Sequence, residues 1–590
     1  MNIVSEQEEL LEIIDLSLAV KRDLNWITII KNISFTINKG ETIGLVGESG
    51  SGKSLTAQAI MRLLPQPNIK VVSGDILFKG ISLLSLNSHE LNKIRGNKIA
   101  MIFQEPMTAL NPVMTIGTQI FEQIKIHNNN LGKQTIKKQV VELLTDVGID
   151  LPEQRYKNYP HQLSGGMRQR VMIAMALSCK PELIIADEPT TALDVSLQAQ
   201  VLSLLSALQE KYNASLIFIS HDLAVVAQVC QKALILYAGE IIERGEVDSI
   251  FNRPNHPYSQ ALLLCTPSQQ QAPRTPLPSI PSSQLLTEAP EDRIERFNNL
   301  LKDFASQKSS LDEICQQPST RKLSKEIVLK THNLNKKYSL PKPLFSLKKR
   351  YFEAVKNISL TVNSGETLGI VGTSGSGKST LAKLICGIEV ADKGDIELLQ
   401  QPLDINDRKA LAVNIQYIFQ DPQESLNNRH TVEQLLIEPL IIHKVGTKKT
   451  RTQEAINKLA LVGLNESYLS RYTHELSGGQ KQRIGIARAL MLKPKLLICD
   501  EPVSALDVSV QAQILNLLIE LQNKLNLSMI FITHDLYVVR HIADNIAVMH
   551  HGEVVEYGSA ESICGNPQES YTQQLIAATP TWPLVNNALA

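Results

Sequence analysis

Apolar residues in this chain are gathered into short runs, each bounded by polar residues or glycine. Two five-residue runs, TIGLV at Thr42–Val46 and TLGIV at Thr367–Val371, each lead into a glycine-rich turn. Two more, LIIADE at 183–188 and LLICDE at 496–501, each end in a pair of acids. Runs of this length are typical of buried parallel strands in an α/β protein. All fall far short of the ~18 to 20 apolar residues that cross a bilayer, so the pattern predicts no membrane span.

The chain consists of two similar halves, because a set of short motifs occurs twice in the same order. GESGSGKS at 47–54 corresponds to GTSGSGKS at 372–379, and IFQEP, LSGGM, ADEPTTALD and IFISHD correspond to IFQDP, LSGGQ, CDEPVSALD and IFITHD. The LSGG serine precedes the DE glutamate by 24 residues in both halves, and that glutamate precedes the histidine by 33 in both. Equal spacings indicate one fold present twice.

Residues 265–325, between the halves, are rich in Pro, Ser and Gln and lack apolar runs, which indicates a linker. The predicted domains are therefore 1–264 and 326–590. Apolar residues recur at helical spacing inside the linker, at Ile294, Phe297, Leu300, Leu301 and Phe304. A helix with this pattern could dock on either half, although a surface helix within the linker is the simpler interpretation.

Composition narrows the functional classes. The chain has 59 basic and 59 acidic residues, and zero net charge disfavours nucleic acid as a partner. The acidic N-terminal stretch is unlike a secretory signal, and the seven cysteines form no CxxC pair, so we expect a cytosolic chain without a disulfide or zinc framework. The basic segment 342–351 is interpreted as a solvated loop rather than as a contact to lipid headgroups.

The two glycine-rich turns predict sites for nucleotide phosphates. In the pattern GxxxxGK[ST] the glycines free backbone N–H groups to surround phosphate oxygens, the lysine reaches the β and γ phosphates, and the hydroxyl serves Mg²⁺. A strand before the turn and a helix after it would place the phosphates at a helix N-terminus. The candidate ATP ligands are Gly47, Ser49, Gly50, Ser51, Gly52, Lys53 and Ser54 in the first half and Gly372, Ser374, Gly375, Ser376, Gly377, Lys378 and Ser379 in the second.

Acidic residues and a histidine complete the predicted chemistry of each half. A buried parallel strand that ends in carboxylates delivers them to the sheet edge where phosphates bind. The aspartate there is suited to hold Mg²⁺, and the glutamate to polarise the attacking water. A histidine that ends the next apolar strand would contact the γ-phosphate and hold that water in line. The predicted metal ligands are Asp187 and Asp500, and the predicted catalytic residues are Glu188, His221, Glu501 and His534.

Phosphate loop, glutamine, LSGG signature, DE pair and histidine in this order resemble the nucleotide-binding domain of ATP-binding-cassette (ABC) proteins over most of each half. The resemblance implies two P-loop NTPase domains of α/β fold, each with a RecA-like core, an antiparallel β subdomain and a helical subdomain. It also implies that the halves close head to tail, so that each ATP lies between one phosphate loop and the other half's signature. The site residues it adds are Gln104 and Gln420 for ATP and Mg²⁺, Ser54 and Ser379 for Mg²⁺, the signature residues Ser164, Gly165, Gly166, Ser477, Gly478 and Gly479, and Tyr338, which would stack on adenine.

The two predicted sites differ at the adenine end. Val20 takes the place of Tyr338 in the first half, and since stacking is worth ~1 to 3 kcal/mol in single-strand nucleic-acid complexes, weaker ATP binding is expected there unless Trp26 substitutes. Every catalytic position is filled in both halves. Two hydrolytic sites are therefore expected.

The tail of the first half, NHPYSQALL at 255–263, resembles that of ATPases of dipeptide, oligopeptide and nickel importers; its second-half counterpart, NPQESYTQQLI, has lost the His-Pro. This implies a peripheral subunit at the cytoplasmic face of the inner membrane. It would couple ATP hydrolysis to uptake of peptides or peptide-like solutes through two integral membrane permease subunits, with a solute-binding protein. A tandem-cassette ATPase of a sugar or metal importer is the alternative. A soluble ribosome-associated ABC ATPase is disfavoured because the linker has no dense Lys/Arg run. No iron–sulfur cluster is carried over, since the cysteine-containing stretch of many relatives is absent.

Overall fold

The computed structural model describes residues 8–22, 25–190, 193–267, 272–280, 290–315, 324–339, 351–421, 425–504 and 506–579. Within these ranges no helix combines the length and apolar character needed to span a bilayer. Most of the basic segment 342–351 lies outside the described residues.

Strands and helices alternate along the first half. Its strands are β1 (Glu9–Arg22), β2 (Asn25–Asn38), β3 (Thr42–Val46), β4 (Ile69–Phe78), β5 (Ile81–Ser82), β6 (Ile99–Ile102), β7 (Leu183–Asp187), β8 (Ser215–Ser220), β9 (Lys232–Tyr237) and β10 (Glu240–Glu246). Its helices are α1 (Lys53–Ile60), α2 (Ser88–Ile94), α3 (Pro106–Ala109), α4 (Ile116–His127), α5 (Lys133–Asp146), α6 (Pro152–Arg155), α7 (Gly165–Leu177), α8 (Val195–Tyr212), α9 (Leu223–Val229), α10 (Val247–Asn252) and α11 (Pro257–Leu264).

The second half repeats this order after a linker helix, α12 (Pro290–Cys315). Its strands are β11 (Ile327–Ser339), β12 (Tyr351–Ile358), β13 (Thr361–Asn363), β14 (Thr367–Val371), β15 (Lys393–Leu398), β16 (Gln401–Pro402), β17 (Ile415–Ile418), β18 (Leu496–Asp500), β19 (Ser528–Thr533), β20 (Asn545–His550) and β21 (Glu553–Ser559). Its helices are α13 (Lys378–Ile385), α14 (Arg408–Asn414), α15 (Val432–Ile442), α16 (Lys448–Leu461), α17 (Gly478–Ala489), α18 (Val508–Leu525), α19 (Leu536–Ile542), α20 (Ala560–Gly565) and α21 (Ser570–Ala578). Short 3₁₀ turns span Pro160–Gln162, Glu466–Tyr468, Thr473–Glu475 and Leu490–Leu492.

Each half has a six-stranded core sheet with the same order, β10-β9-β3-β8-β7-β6 and β21-β20-β14-β19-β18-β17. All strands but the antiparallel edge strand β10 or β21 run parallel. A smaller antiparallel sheet, β2-β1-β4-β5 or β12-β11-β15-β16, packs on one face of the core sheet through apolar side chains. Helices α3 to α7, and α15 to α17 in the second half, form the helical part that follows the glutamine. The predicted α/β fold with three parts per half is confirmed.

The four predicted apolar runs form the central strands at the predicted positions. Every residue of β3, β7, β14 and β18 is buried, including the aspartate that ends β7 and β18. Strands covered on both faces need apolar residues at every position, which is why they stand out in the sequence as unbroken runs. The carboxyl ends of these strands meet at one sheet edge, beside the phosphate loops.

The linker contacts both halves, and this corrects the interpretation of its helix as a plain surface helix. Phe297 of α12 is fully buried against Tyr237 and Tyr258 of the first half, at ring-centroid distances of 5.4 and 5.3 Å. Ile294, three residues earlier in the same helix, is 41% exposed. The preceding segment, 272–280, docks instead on the second half, where Arg274 and its neighbours bond to α18 and α19. The chain therefore crosses to the second half and returns to the first before it enters the second cassette.

Candidate active sites

Each phosphate loop joins a buried strand to a helix through glycines that no other residue could replace without strain. Gly52 and Gly377 precede α1 and α13 with φ of 104°, in the left-handed region that favours glycine. A Cβ atom on Gly47 would come within 2.2 Å of the Leu236 carbonyl oxygen, because the end of strand β9 lies directly against the loop. The loop is thereby fixed in shape by contacts from outside the loop itself.

The loop lysines lie inside their own loops. Lys53 Nζ donates to the carbonyl oxygens of Gly47 at 2.7 Å and Glu48 at 2.9 Å. Lys378 Nζ makes the same bonds to Gly372 at 2.8 Å and Thr373 at 2.9 Å. Burial lowers the pKa of both lysines, and nearby carboxylates, Glu188 for Lys53 and Glu501 for Lys378, offset part of that effect. A buried cation surrounded by backbone N–H groups is suited to bind a phosphate.

The carboxylates, glutamine and histidine that the sequence analysis singled out in the first half lie in contact with one another. Ser54 Oγ donates to Asp187 Oδ1 at 2.9 Å, and Gln104 Nε2 donates to Glu188 Oε2 at 2.9 Å. His221 Nδ1 lies 3.4 Å from Glu188 Oε2. The second half matches contact for contact, with Ser379–Asp500 at 3.3 Å, Gln420–Glu501 at 2.9 Å and His534–Glu501 at 3.4 Å.

The two glutamates predicted to be catalytic have an unusual backbone conformation. Glu188 and Glu501 have φ of 46° and 48°, a left-handed geometry that side-chain-bearing residues seldom adopt. Their N–H groups each donate to the neighbouring strand, at Ile219 O and Ile532 O. Strain of this kind costs of order 1–3 kcal/mol and persists where the surroundings impose it, as at active sites. It turns the glutamate out of the strand and toward the loop.

Electrostatics in the second site favour a charged glutamate next to a charged histidine. Burial alone would raise the pKa of Glu501, but the hydrogen bond and charge of His534 and the charge of Lys378 outweigh it, and the pKa is lowered. Burial likewise opposes charge on His534, yet Glu501 raises its pKa above the usual value. Asp500 has a raised pKa because it is buried, partly offset by hydrogen bonds from Tyr417 and Ser379.

Tyr417 was not foreseen from the sequence. Its hydroxyl donates to Asp500 Oδ2 at 2.5 Å from the adjacent strand β17. The equivalent position in β6 is Met101, so Asp187 has no such donor from that strand. The two copies of the strand that contains the start of IFQ differ in sequence at this position, Met101 against Tyr417. Only the pairing of the strands shows that the position faces the aspartate.

The halves meet head to tail across the two phosphate loops. Ser49 Oγ donates to Asp507 Oδ1 at 2.7 Å, and the N–H of Ser374 donates to Asp194 Oδ2 at 3.1 Å. Asp194 and Asp507 are the aspartates of the repeated ALD string and precede α8 and α18. A cavity of about 1210 Å³ lies between the halves. The residues that line it include Gln104, Glu188, His221, Gln420, Glu501 and His534.

Both signature motifs begin helices. Ser164 and Ser477 cap α7 and α17, and their hydroxyls accept from Met167 N–H and Gln480 N–H, each at 3.3 Å. A Cβ on Gly479 would come within 2.4 Å of Val510, which explains the glycine. In the described ranges no hydrogen bond joins either serine to the opposite phosphate loop, so their contact with ATP stays a prediction.

The remaining signature and loop residues lie as follows: Gly165, Gly478, Gly50 and Gly375 are exposed, Gly166 is buried, and Ser51 and Ser376 are buried within the loops.

The predicted adenine ends of the two sites differ in structure as well as in sequence. The hydroxyl of Tyr338 donates to Glu389, and Phe352, on the paired strand β12, lines the cavity beside Lys378. In the first half the ring of Trp26 is covered by Lys70 Nζ, 4.1 Å from its centroid. Phe352 is a second aromatic candidate for stacking on adenine. Comparison of the two halves did not reveal it, because the residues between Tyr338 and Phe352 have no counterpart in the first half.

Comparison with known proteins places these features in a family. Residues 30–191 and 355–504 match the model "ABC transporter", and residues 242–292 and 555–584 match "Oligopeptide/dipeptide transporter, C-terminal region". The glutathione import ATP-binding protein GsiA of Salmonella paratyphi A is 42% identical over 98% of this chain and 90% of its own length. GsiA of Escherichia coli K12 is 42% identical over 96% and 89%, and the oligopeptide transport ATP-binding protein OppD of Mycobacterium bovis is 41% identical over 97% and 98%. The chain therefore belongs to the ABC transporter family, as an ATPase with two cassettes that carry the C-terminal region of oligopeptide and dipeptide transporters.

Proposed function

We propose that this chain is the ATPase subunit of an importer of peptides or peptide-like solutes, with cassettes at 1–264 and 326–590 joined by the linker 265–325. The observation that carries the proposal is the pair of matched sites, each with lysine, serine, aspartate, glutamate, glutamine and histidine in the same contacts, followed in each half by the oligopeptide-transporter tail. Relatives that match nearly the whole chain are named for glutathione import and for oligopeptide transport, and they support the solute class.

In the proposed reaction each half hydrolyses one ATP. The phosphate loop and its lysine bind the β and γ phosphates. Glu188 or Glu501 accepts a proton from the attacking water, and His221 or His534, held at 3.4 Å from that carboxylate, steadies the γ-phosphate. The opposite signature, Ser477 or Ser164 with its glycines, would complete the site on closure. Tyr338 would stack on the adenine of the second site.

The donor set suits Mg²⁺. Ser54 Oγ and Asp187 Oδ1 are hard oxygen ligands 2.9 Å apart, and a nearby cation would relieve the cost of burying that carboxylate. Mg²⁺ would neutralise charge on the phosphates. The residues that would hold it, together with phosphate oxygens and water, are Ser54, Gln104 and Asp187 in the first site and Ser379, Gln420 and Asp500 in the second.

Closure is proposed to drive transport through partners. Two integral membrane permease subunits would dock on the helical parts, and a solute-binding protein would deliver the solute to them. The chain would then lie at the cytoplasmic face of the membrane as a peripheral subunit. The fused halves make their own pairing intramolecular, so that closure needs no encounter between separate subunits.

The test combines partner identification with site-specific inactivation. Purification from membranes should recover integral membrane subunits; recovery of ribosomal proteins would refute the importer. Glu188→Gln and Glu501→Gln should each sharply reduce ATP turnover while ATP still binds. A variant that hydrolyses ATP at the parental rate would show that its site is not hydrolytic. Uptake of sugars but not of labelled small peptides or glutathione by proteoliposomes with the recovered subunits would favour the sugar-importer alternative.

A further inference from the structure

Each cassette ends in a short helix that carries a tyrosine, Tyr258 in α11 and Tyr571 in α21. In the second half the Tyr571 hydroxyl accepts a hydrogen bond from Thr373 N–H at 3.0 Å and lies 3.0 Å from Thr373 Oγ1. Thr373 is the second residue of the loop GTSGSGKS. The ring of His550 lies over Tyr571 at a centroid distance of 3.8 Å, so the phenol is held from its face as well as at its hydroxyl.

The neighbouring peptide of the same loop is held from the other side of the interface. Ser374 N–H donates to Asp194, which caps α8 of the first half, and α21 itself packs on α8. Two consecutive N–H groups of the loop are therefore fixed, one by the tail of its own half and one by the opposite half. Helix α21 thus contacts both the phosphate loop, at Thr373, and helix α8, whose cap Asp194 binds the next loop residue, Ser374.

The first half uses the same position. Tyr258 is fully buried and lies beside Glu48, the second residue of the loop GESGSGKS. Tyr237 packs on the Tyr258 ring at 4.4 Å, and Phe297 of the linker helix packs on it at 5.3 Å. The second-half tail lacks the His-Pro of the first but keeps the tyrosine. What the two tails share is thus a tyrosine near the second residue of the phosphate loop, and the hydrogen bond to the loop is the one that Tyr571 makes in the second half.

Phosphate loops bind through the directions of their N–H groups, and displacements of about 1 Å in a site can cost a hundredfold. A hydroxyl that anchors the peptide at the start of the loop limits such displacement. We propose that the tail tyrosine of the second half, Tyr571, is a positioning residue for its phosphate loop, and that through Thr373 it sets the ATP affinity of the second site. This inference rests on the proposed function, since it requires that the second loop binds ATP.

The experiment isolates the second site in a full-length Lys53→Ala background and titrates a fluorescent ATP analogue, MANT-ATP. Tyr571→Phe keeps the ring and removes one net hydrogen bond, so we expect the Kd to rise roughly threefold to tenfold. The melting temperature should stay unchanged. Tyr557→Phe, a half-exposed tyrosine on β21, is the matched control and should leave the Kd unchanged.

Coupling between the partners separates positioning from general packing. Thr373→Ala should weaken binding less in the Tyr571→Phe background than alone, because the two side chains share one contact. An unchanged Kd in Tyr571→Phe, or a raised Kd accompanied by a lowered melting temperature, would overturn the inference. If the Lys53→Ala parent binds no MANT-ATP, the two-site function fails, and the inference fails with it.

Discussion

Arg274 fastens the linker to the second half, and its removal should release that segment. Its Nη1 donates to Gln522 Oε1 at 2.8 Å, and its Nη2 donates to Ile542 O at 2.8 Å and Asp544 Oδ2 at 2.9 Å. Its backbone N–H also donates to His541 O at 2.8 Å. Arg274 and Asp544 are only 21% and 18% exposed at their side chains.

The size of the effect follows from these contacts. A hydrogen bond to a charged group contributes about 1.5–3 kcal/mol and a neutral one about 1 kcal/mol, but such terms do not add fully. The partial exposure of the pair reduces its share further. We expect Arg274→Ala to weaken docking of residues 272–280 by about 3 kcal/mol, which corresponds to roughly a hundredfold increase in local opening.

Native-state hydrogen exchange measures this opening at one amide. Leu277 N–H donates to Asn516 Oδ1 at 2.9 Å, and the Asn516 side-chain amide donates back to Leu277 O at 2.7 Å. In Arg274→Ala the Leu277 amide should exchange roughly a hundredfold faster, whereas Arg244→Ala, at an exposed position of β10, should leave it unchanged. Parental exchange at Leu277 in Arg274→Ala would refute the view that the arginine holds the segment.

Three further changes test other contacts. Tyr417→Phe removes a hydrogen bond that lowers the pKa of Asp500, so the acidic limb of the pH–ATPase profile should move up by as much as about 1 pH unit; an unmoved limb would contradict this. Burial raises the pKa of Glu48 to about 7. The stability that Glu48 contributes is therefore complete below its unfolded pKa and is lost as the pH rises through 7. The melting temperatures at pH 6 and pH 8 should differ more in the parent than in Glu48→Gln. Phe297→Ala should cost about 3–5 kcal/mol of helix docking and make α12 sensitive to protease, while Ile294→Ala should not; equal cleavage of the two variants would argue against docking through Phe297.

The sequence predicted the parts of the fold whose signal is local. Strands β3 and β14 occupy the predicted Thr42–Val46 and Thr367–Val371, because burial on both faces requires an unbroken apolar run. The glutamines Gln104 and Gln420 came from the resemblance to ABC proteins and not from spacing, since they precede Glu188 and Glu501 by 84 and 81 residues; the structure shows that each donates to its glutamate.

The path of the linker could not be predicted in the same way. Segment 272–280 has no periodicity, and its docking depends on buried Leu277 and Ile280 and on side chains of α18 that lie more than 230 positions further along the chain. The spacing in α12 did indicate an apolar face. It did not indicate which residues that face packs against, because nothing in the tail motif shows that the ring of Tyr258 would contact the linker helix. Long-range side-chain pairings of this kind leave no local pattern.

The crossed linker has the topology of two proteins that have exchanged arms. Residues 272–280 follow the first half in the chain and dock on the second. Helix α12 precedes the second half in the chain and docks on the first. A cut between 280 and 290 would leave two polypeptides, each with a segment that still contacts the other. We therefore expect the halves to pair without the peptide connection. A split version produced as two chains should therefore reassemble into the same heterodimeric pair of cassettes.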